Sequence, residues 1–286
     1  AERMAVRLAS MGRTGYPEAV TERGRWSGEA AVVTDAIGKP LTWTKPKRVF
    51  VCSMSDLFFE EHATDTIISI LAVIAQAHRH TFQVLTKRTD RMRALFNDQQ
   101  FVTEVWRHAG IDALIQVSGA GIIGKSKHWP LPNLQVGASI EDNDRLLYRW
   151  EDLVRTPAVC RFVSAEPLLE DIGVELETRL IGACSICGYS AGAGSEESPS
   201  CPCGSNDCPH PGVHQVIVGG ESGPGARGCD PEWIKRIVAA CRHAGVGCFV
   251  KQLGADWAKR FGSKTAKGNN PDEWPVGLRV RQEPIL

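Results

Sequence analysis

Six apolar runs in this 286-residue chain each end in charged or hydroxyl residues, and those ends are where its chemistry would lie. They are 48–56 (RVFVCSMSD), 81–88 (TFQVLTKR), 133–142 (NLQVGASIED), 160–166 (CRFVSAE), 214–222 (HQVIVGGES) and 246–252 (VGCFVKQ). Their ends supply carboxylates at Asp56, Glu141, Asp142, Glu166 and Glu221, cations at Lys87, Arg88 and Lys251, hydroxyls at Ser53, Ser55, Ser139, Ser164 and Ser222, and the amide of Gln252. Adjacent cations at Lys87-Arg88 suit a phosphate or a carboxylate; the structural alternative is a solvated helix flank. Pro167 drives Glu166 toward an extended conformation, so its carboxylate points away from a helix and suits a ribose hydroxyl or an amine. Asp142 or Asn143 serves as a helix cap, which leaves Glu141 as the stronger functional candidate. The glycines around Glu221 and Ser222 permit close backbone approach to a ligand or simply a tight turn, and they match neither a dinucleotide fingerprint nor a P-loop. Arg227 is near enough in sequence to pair with Glu221. Lys251 reads equally as a desolvated functional amine or as the partner of a neighbouring glutamate.

Parallel strands buried on both faces read as continuous apolar runs, and α/β sheets place their sites at the carboxyl ends of such strands. Helical patterns fill the gaps. Residues 64–78 are apolar on most faces, Thr89 opens a helix carrying Met92, Leu95 and Phe96, and 143–154 place Leu146, Leu147, Trp150, Leu153 and Val154 at helical spacing. Asp230, Pro231 and Gly245 delimit another helix. The alternation predicts an α/β fold, a full or partial parallel (β/α) barrel, because polar groups end every run and not only those beside one switch point. A doubly wound sheet is the alternative. The expected organisation is one barrel domain over 1–286, with a strand lost upstream of Ala1 and a cysteine-rich insertion at 182–212. A hairpin is expected at 31–34 and 41–43, turning at Gly38-Lys39-Pro40.

Five of ten cysteines fall between Cys184 and Cys208. Cys184 and Cys187 form a CxxC, and with Cys203 and Cys208 they make a four-thiolate zinc set, for which Cys201 or His210 are alternates. A closed site of this kind would contribute folding energy and no chemistry. Lys+Arg and Asp+Glu both number 33, so the chain has no overall electrostatic attraction for nucleic acid, although a local basic stripe is compatible with that balance. The longest apolar run, 67–77, is too short to span a membrane and suits a core helix. A cytoplasmic setting is expected.

The strings FVCSMSDLF, TFQVLTKR, LPNLQVGASIED, RFVSAEPLL, VIVGGESGPGAR and FVKQLG, with DEWPVGLRVR near the end, resemble a family common in phages and prophages, the radical S-adenosylmethionine-like proteins of unknown function. In that family a cysteine triplet lies just ahead of a segment matched by Ala1-Glu2-Arg3-Met4-Ala5. The resemblance implies a chain that begins just downstream of its cluster ligands. It implies a parent that binds a 4Fe–4S cluster and S-adenosylmethionine and generates a 5′-deoxyadenosyl radical, with nucleic acid or a nucleotide as the substrate class. None of the ten cysteines reproduces the triplet, so this polypeptide is expected to be inactive by itself. By the same resemblance Ser53, Ser55, Asp56, Ser139, Glu141, Ser164 and Glu166 line the cofactor, Arg88, Ser222, Arg227 and Gln252 face substrate, and Lys87, Glu221 and Lys251 are candidates for catalysis. Two other readings remain. One is a zinc-bearing nucleic-acid-binding module on an inactive barrel, with Lys45, Lys47 and Arg48 as basic contributors. The other is a hydrolase using zinc-bound water.

Overall fold

Within each unit the apolar runs pair their backbones in parallel, with helices returning the chain between them. The computed structural model describes residues 2–110, 129–182 and 212–284. Two compact units divide the chain, Ala1–Leu134 and Gln135–Leu286.

The first unit opens with three helices, α1 (Glu2–Ser10), α2 (Tyr16–Ala19) and α3 (Thr34–Ile37). Strand β1 (Arg48–Val51) then pairs in parallel with β2 (Thr81–Thr86), Arg48 opposite Thr81 and Val51 opposite Val84. Between them runs α4 (Thr64–Gln76), which buries Ile67, Ile68, Leu71, Ala72 and Ile74. Helices α5 (Thr89–Asn97) and α6 (Gln99–His108) follow, and the Asp98 carboxylate caps α6 by accepting from the Gln100 and Phe101 amides. Asn133 ties the unit together. Its side-chain amide donates to the carbonyls of Ile74 (2.9 Å), Ala77 (3.3 Å) and His80 (3.1 Å), satisfying the carboxyl end of α4, while its own carbonyl accepts from Phe82 N at 2.8 Å.

The hairpin expected at 31–43 does not form. Residues 34–37 are α3, and Lys39–Thr42 make a 3-10 turn. A two-residue hairpin turn needs positive φ, whereas Gly38 sits at φ −77° and ψ −10°, and Pro40 has no N–H to offer a ladder.

In the second unit β3 (Leu134–Ser139), β4 (Cys160–Ala165), β5 (Gln215–Gly219) and β6 (Gly247–Gln252) pair in parallel and in chain order. Helix α7 (Asn143–Val154) connects the first two, α8 (Gly173–Gly182) follows β4, and α9 (Pro231–Ala244) connects the last two before α10 (Ala255–Arg260). Each strand lies beside its sequence neighbour with no reversal of order, which is the winding of a partial parallel barrel; a doubly wound sheet reverses at a switch point. The cores of α7 and α9 hold Leu146, Trp150 and Leu153, and Ile234, Ile237, Val238 and Cys241. The segment after α10 returns along the outer edge of β6, where Val250 N donates to Val280 O and Gln282 N to Cys248 O, both at 2.8 Å. An edge covered in this way is closed to other chains. No described helix is long and apolar enough to cross a membrane.

Replacing Asn133 removes a donor from the Ile74 and Ala77 carbonyls at the end of α4 and from the His80 carbonyl just before β2. Asn133→Ala is expected to lower stability by about 2 kcal/mol, read from the midpoint shift in urea unfolding.

Candidate functional site

Paired residues in neighbouring parallel strands share a face, and the face alternates along each strand. Ser139 lies opposite Ser164, Ser164 opposite Ile217, and Ile217 opposite Phe249. Beyond these pairs Glu166 follows β4, and β5 and β6 shift register so that Gly219 stands opposite Gln252 and Lys251 is the extra residue of β6. Ala138, Val163, Val216, Val218, Cys248 and Val250 occupy the other face and are buried, with α9 packed on β5 and β6. One face of β3–β6 therefore serves the core. The opposite face carries the buried hydroxyls of Ser139 and Ser164 beside half-buried Ile217 and Phe249, the latter ring lying under the Arg281 guanidinium at 5.4 Å, with a carboxylate and an ammonium at its carboxyl end.

Glu166 and Lys251 meet there, with Oε2 and Nζ 3.0 Å apart. The carboxylate side chain is 14% exposed and the lysine 57%, so the pair is open from the lysine side. Gly219 lies beneath them on the intervening strand. A Cβ at this position would stand 2.7 Å from Glu166 Oε1 and 2.9 Å from the Gln252 carbonyl, so only glycine leaves room for the carboxylate. Burial pushes the Glu166 carboxyl above its usual range, and the Lys251 ammonium, by charge and hydrogen bond, opposes that rise. The loop carrying Glu166 is pinned at both sides: Leu168 N donates to Gly219 O and Leu169 N to Glu141 O, each at 2.9 Å.

Other rim residues of this unit are engaged in holding the chain. Glu141 is buried and pairs with Arg149 of α7 at 2.9 Å, and Arg149 also donates to the Ser139 carbonyl at 2.6 Å. Asp142 caps α7 by accepting from Arg145 N, while the Asn143 amide reaches Glu170 and the Asp171 carbonyl. Glu221 accepts the main-chain N–H of Arg227 at 2.9 Å and both arms of its guanidinium at 2.8 and 2.9 Å, which hold its pKa down to about 2. That stabilisation is present above the ordinary carboxylate range and fades as pH falls toward 2. Ser222 is exposed. Gln252 is buried and donates to the Gly220 carbonyl at 2.8 Å, closing the bulge where β5 and β6 lose register.

In the first unit Asp56 joins the ends of β1 and β2. It accepts from Thr86 Oγ1 (2.7 Å), Lys87 N (2.8 Å) and Phe58 N (3.0 Å), and pairs with Arg88 at 3.3 Å. Arg88 also reaches Glu60 at 3.1 Å and lies over the Phe59 ring. Ser53 and Ser55 belong to the turn after β1, where Cys52 takes the left-handed conformation at φ 55°. Lys87 is exposed.

Residues 1–275 match the family described as a protein of unknown function, DUF5131. The chain belongs to this family. No curated protein and no solved structure matches the chain. The matched span takes in every residue of the β3–β6 face.

Among the described residues no cluster of His, Cys, Asp or Glu is arranged to hold a metal ion. Cys160, Cys229, Cys241 and Cys248 are buried, and the neighbouring Cys248 thiol together with burial pushes the Cys241 thiol up. Cys184, Cys187, Cys201, Cys203, Cys208 and His210, the expected zinc set and its alternates, lie outside the described residues. Two features of the site escaped sequence reasoning. Arg149 sits mid-helix with no local signal for its reach to Glu141. Gly219 read as a residue admitting a ligand, whereas the group it admits is the Glu166 side chain.

A carboxyl whose folded pKa is raised binds its proton more tightly in the folded state, so its contribution favours folding at low pH and is lost as pH rises through the shifted value. Carbon-13 NMR of the Glu166 carboxyl is expected to show a midpoint above the ordinary glutamate value of 4.5. Lys251→Met should move it higher still, and a downward movement would contradict the assigned cause.

Proposed function

We propose that the β3–β6 face bearing Glu166 and Lys251 binds S-adenosylmethionine, and that the protein is of the radical S-adenosylmethionine type, with a nucleotide or nucleic acid as its substrate class. Three things support this reading: the resemblance of the strand-end strings, the chain-order winding of the parallel strands, and the polar groups gathered on one face. The observation that carries it is the Glu166–Lys251 pair. An amino-acid group bears an ammonium and a carboxylate side by side, and a carboxylate beside an ammonium is its electrostatic complement. Glu166 suits the ammonium and Lys251 the carboxylate. Ser139 and Ser164 suit ribose hydroxyls, and Ile217 and Phe249 give a flat apolar ring a floor.

When bound, S-adenosylmethionine supplies a sulfonium whose carbon–sulfur bonds are activated for cleavage. The chain's own part is to bind and orient it. The cysteines among the described residues do not fit an iron–sulfur cluster, and no reaction step is assigned through one.

Isothermal titration calorimetry of the chain with S-adenosylmethionine tests the reading. Saturable binding is expected, weakened about tenfold or more by Glu166→Gln and by Lys251→Met, since each removes a charged hydrogen-bond partner. Absence of saturable heat with the unaltered chain, or equal affinity in both variants, would overturn it.

A further inference from the structure

A second surface, in the first unit, concentrates basic side chains. Residues 38–48 (GKPLTWTKPKR) hold Lys39, Lys45, Lys47 and Arg48 and no carboxylate, in a chain whose formal charge is zero. The fold adds Arg79, because Thr81 stands opposite Arg48 at the amino ends of β2 and β1. Lys39, Lys45, Lys47 and Arg79 are all exposed. Among the described residues none of these four makes an ion pair.

The patch is built, not loose. His80 is 1% exposed and clamps it: one ring nitrogen engages the Pro40 carbonyl at 3.0 Å and the other the Lys47 N–H at 3.2 Å. The Lys47 carbonyl accepts from Thr81 N at 2.9 Å. Trp43 meets the His80 ring edge-on at 5.6 Å between centroids, and the Lys47 ammonium lies 4.3 Å above the Trp43 ring. The segment bearing the lysines is thereby fixed against the first turn of β2, with a half-buried tryptophan at its centre. Phe50 lies on the same strand face as Arg48 and is 47% exposed.

Held cations beside one half-buried and one exposed aromatic ring fit one kind of partner. Phosphates meet the cations, and unstacked bases meet the rings. We propose that this surface, centred on Trp43 and Lys47, binds single-stranded nucleic acid through its phosphate backbone. An anionic membrane would use the same charges, but Trp43 is half-buried and held against the buried His80 ring and is not presented as an inserting apolar wedge.

Fluorescence anisotropy with a labelled thymidine oligonucleotide of about 16 nucleotides tests the proposal across a salt series starting near 50 mM. Binding is expected to weaken linearly in log–log form as salt rises. The double variant Lys45→Glu/Lys47→Glu should lose about tenfold or more in affinity and lower the slope by about 1.4, the value for two fewer phosphate contacts on a single strand. Arg79→Glu, on a different segment, should weaken binding independently, and Trp43→Ala should weaken it with the slope unchanged. S-adenosylmethionine titrations of the same variants separate this surface from the β3–β6 face, because neither depends on the other. No salt-dependent binding by the unaltered chain, or undiminished binding by the double variant and Arg79→Glu alike, would overturn the proposal. So would sedimentation with phosphatidylserine vesicles in the absence of oligonucleotide binding, which would assign the patch to a membrane surface.

Discussion

In-register parallel pairing is the constraint on which the rest of the second unit depends. With Ser139 opposite Ser164, and the same alignment carried through Ile217 to Phe249, every second residue of four strands is committed to one face. A slip of one residue in any strand would carry Glu166 or Lys251 into the helix-covered side. The apolar residues on that side resist such a slip, since Val163, Val216, Val218 and Val250 would then face solvent. The packing of one face therefore fixes the chemistry of the other.

A charged group withdrawn from water must find a partner, and this rule sorts the rim into groups that hold the fold and groups that face a ligand. Asp56 spends its oxygens on Thr86, Phe58, the Lys87 amide and Arg88. Glu141 is held by Arg149, and Glu221 is enclosed by Arg227. Asp56 and Glu221 also accept main-chain amides and Glu141 is buried, so each holds the local chain in place. Among the described residues Glu166 differs in accepting a single side-chain bond, from Lys251, with no arginine or backbone amide on its carboxylate.

Much of this architecture is legible in the sequence where one local signal suffices. The helix after Asp230 begins and ends as its cap, Pro231 and Gly245 dictate, the last at φ 68°. The 143–154 segment is α7, which buries Leu146, Trp150, Leu153 and Val154 of the expected set and exposes Leu147. Segment 31–43 misleads because its apolar residues suggest a strand pair, yet no neighbouring strand accepts them. Ala31, Val33, Ile37 and Trp43 instead line an apolar groove of about 430 Å³ beside β1 and α4. At the site, residue types were legible and their engagement was not. A carboxylate at a strand end looks the same in sequence whether or not an arginine eight residues on, as with Glu141 and Arg149, folds back to claim it.

Net charge misleads for the same reason. A total of zero describes the far field, whereas binding is governed by charge within a Debye length, about 8 Å at physiological salt. The carboxylates of the first unit's rim, Asp56 and Glu60, follow the carboxyl end of β1 and are already paired with Arg88. Four strand residues at about 3.3 Å each separate that end from Arg48, roughly 10 Å along the strand. Screening thus isolates the amino-end lysines from the acids that balance them on paper. The sum of charges in this chain says little about its partners; the arrangement left after the ion pairs are counted says more.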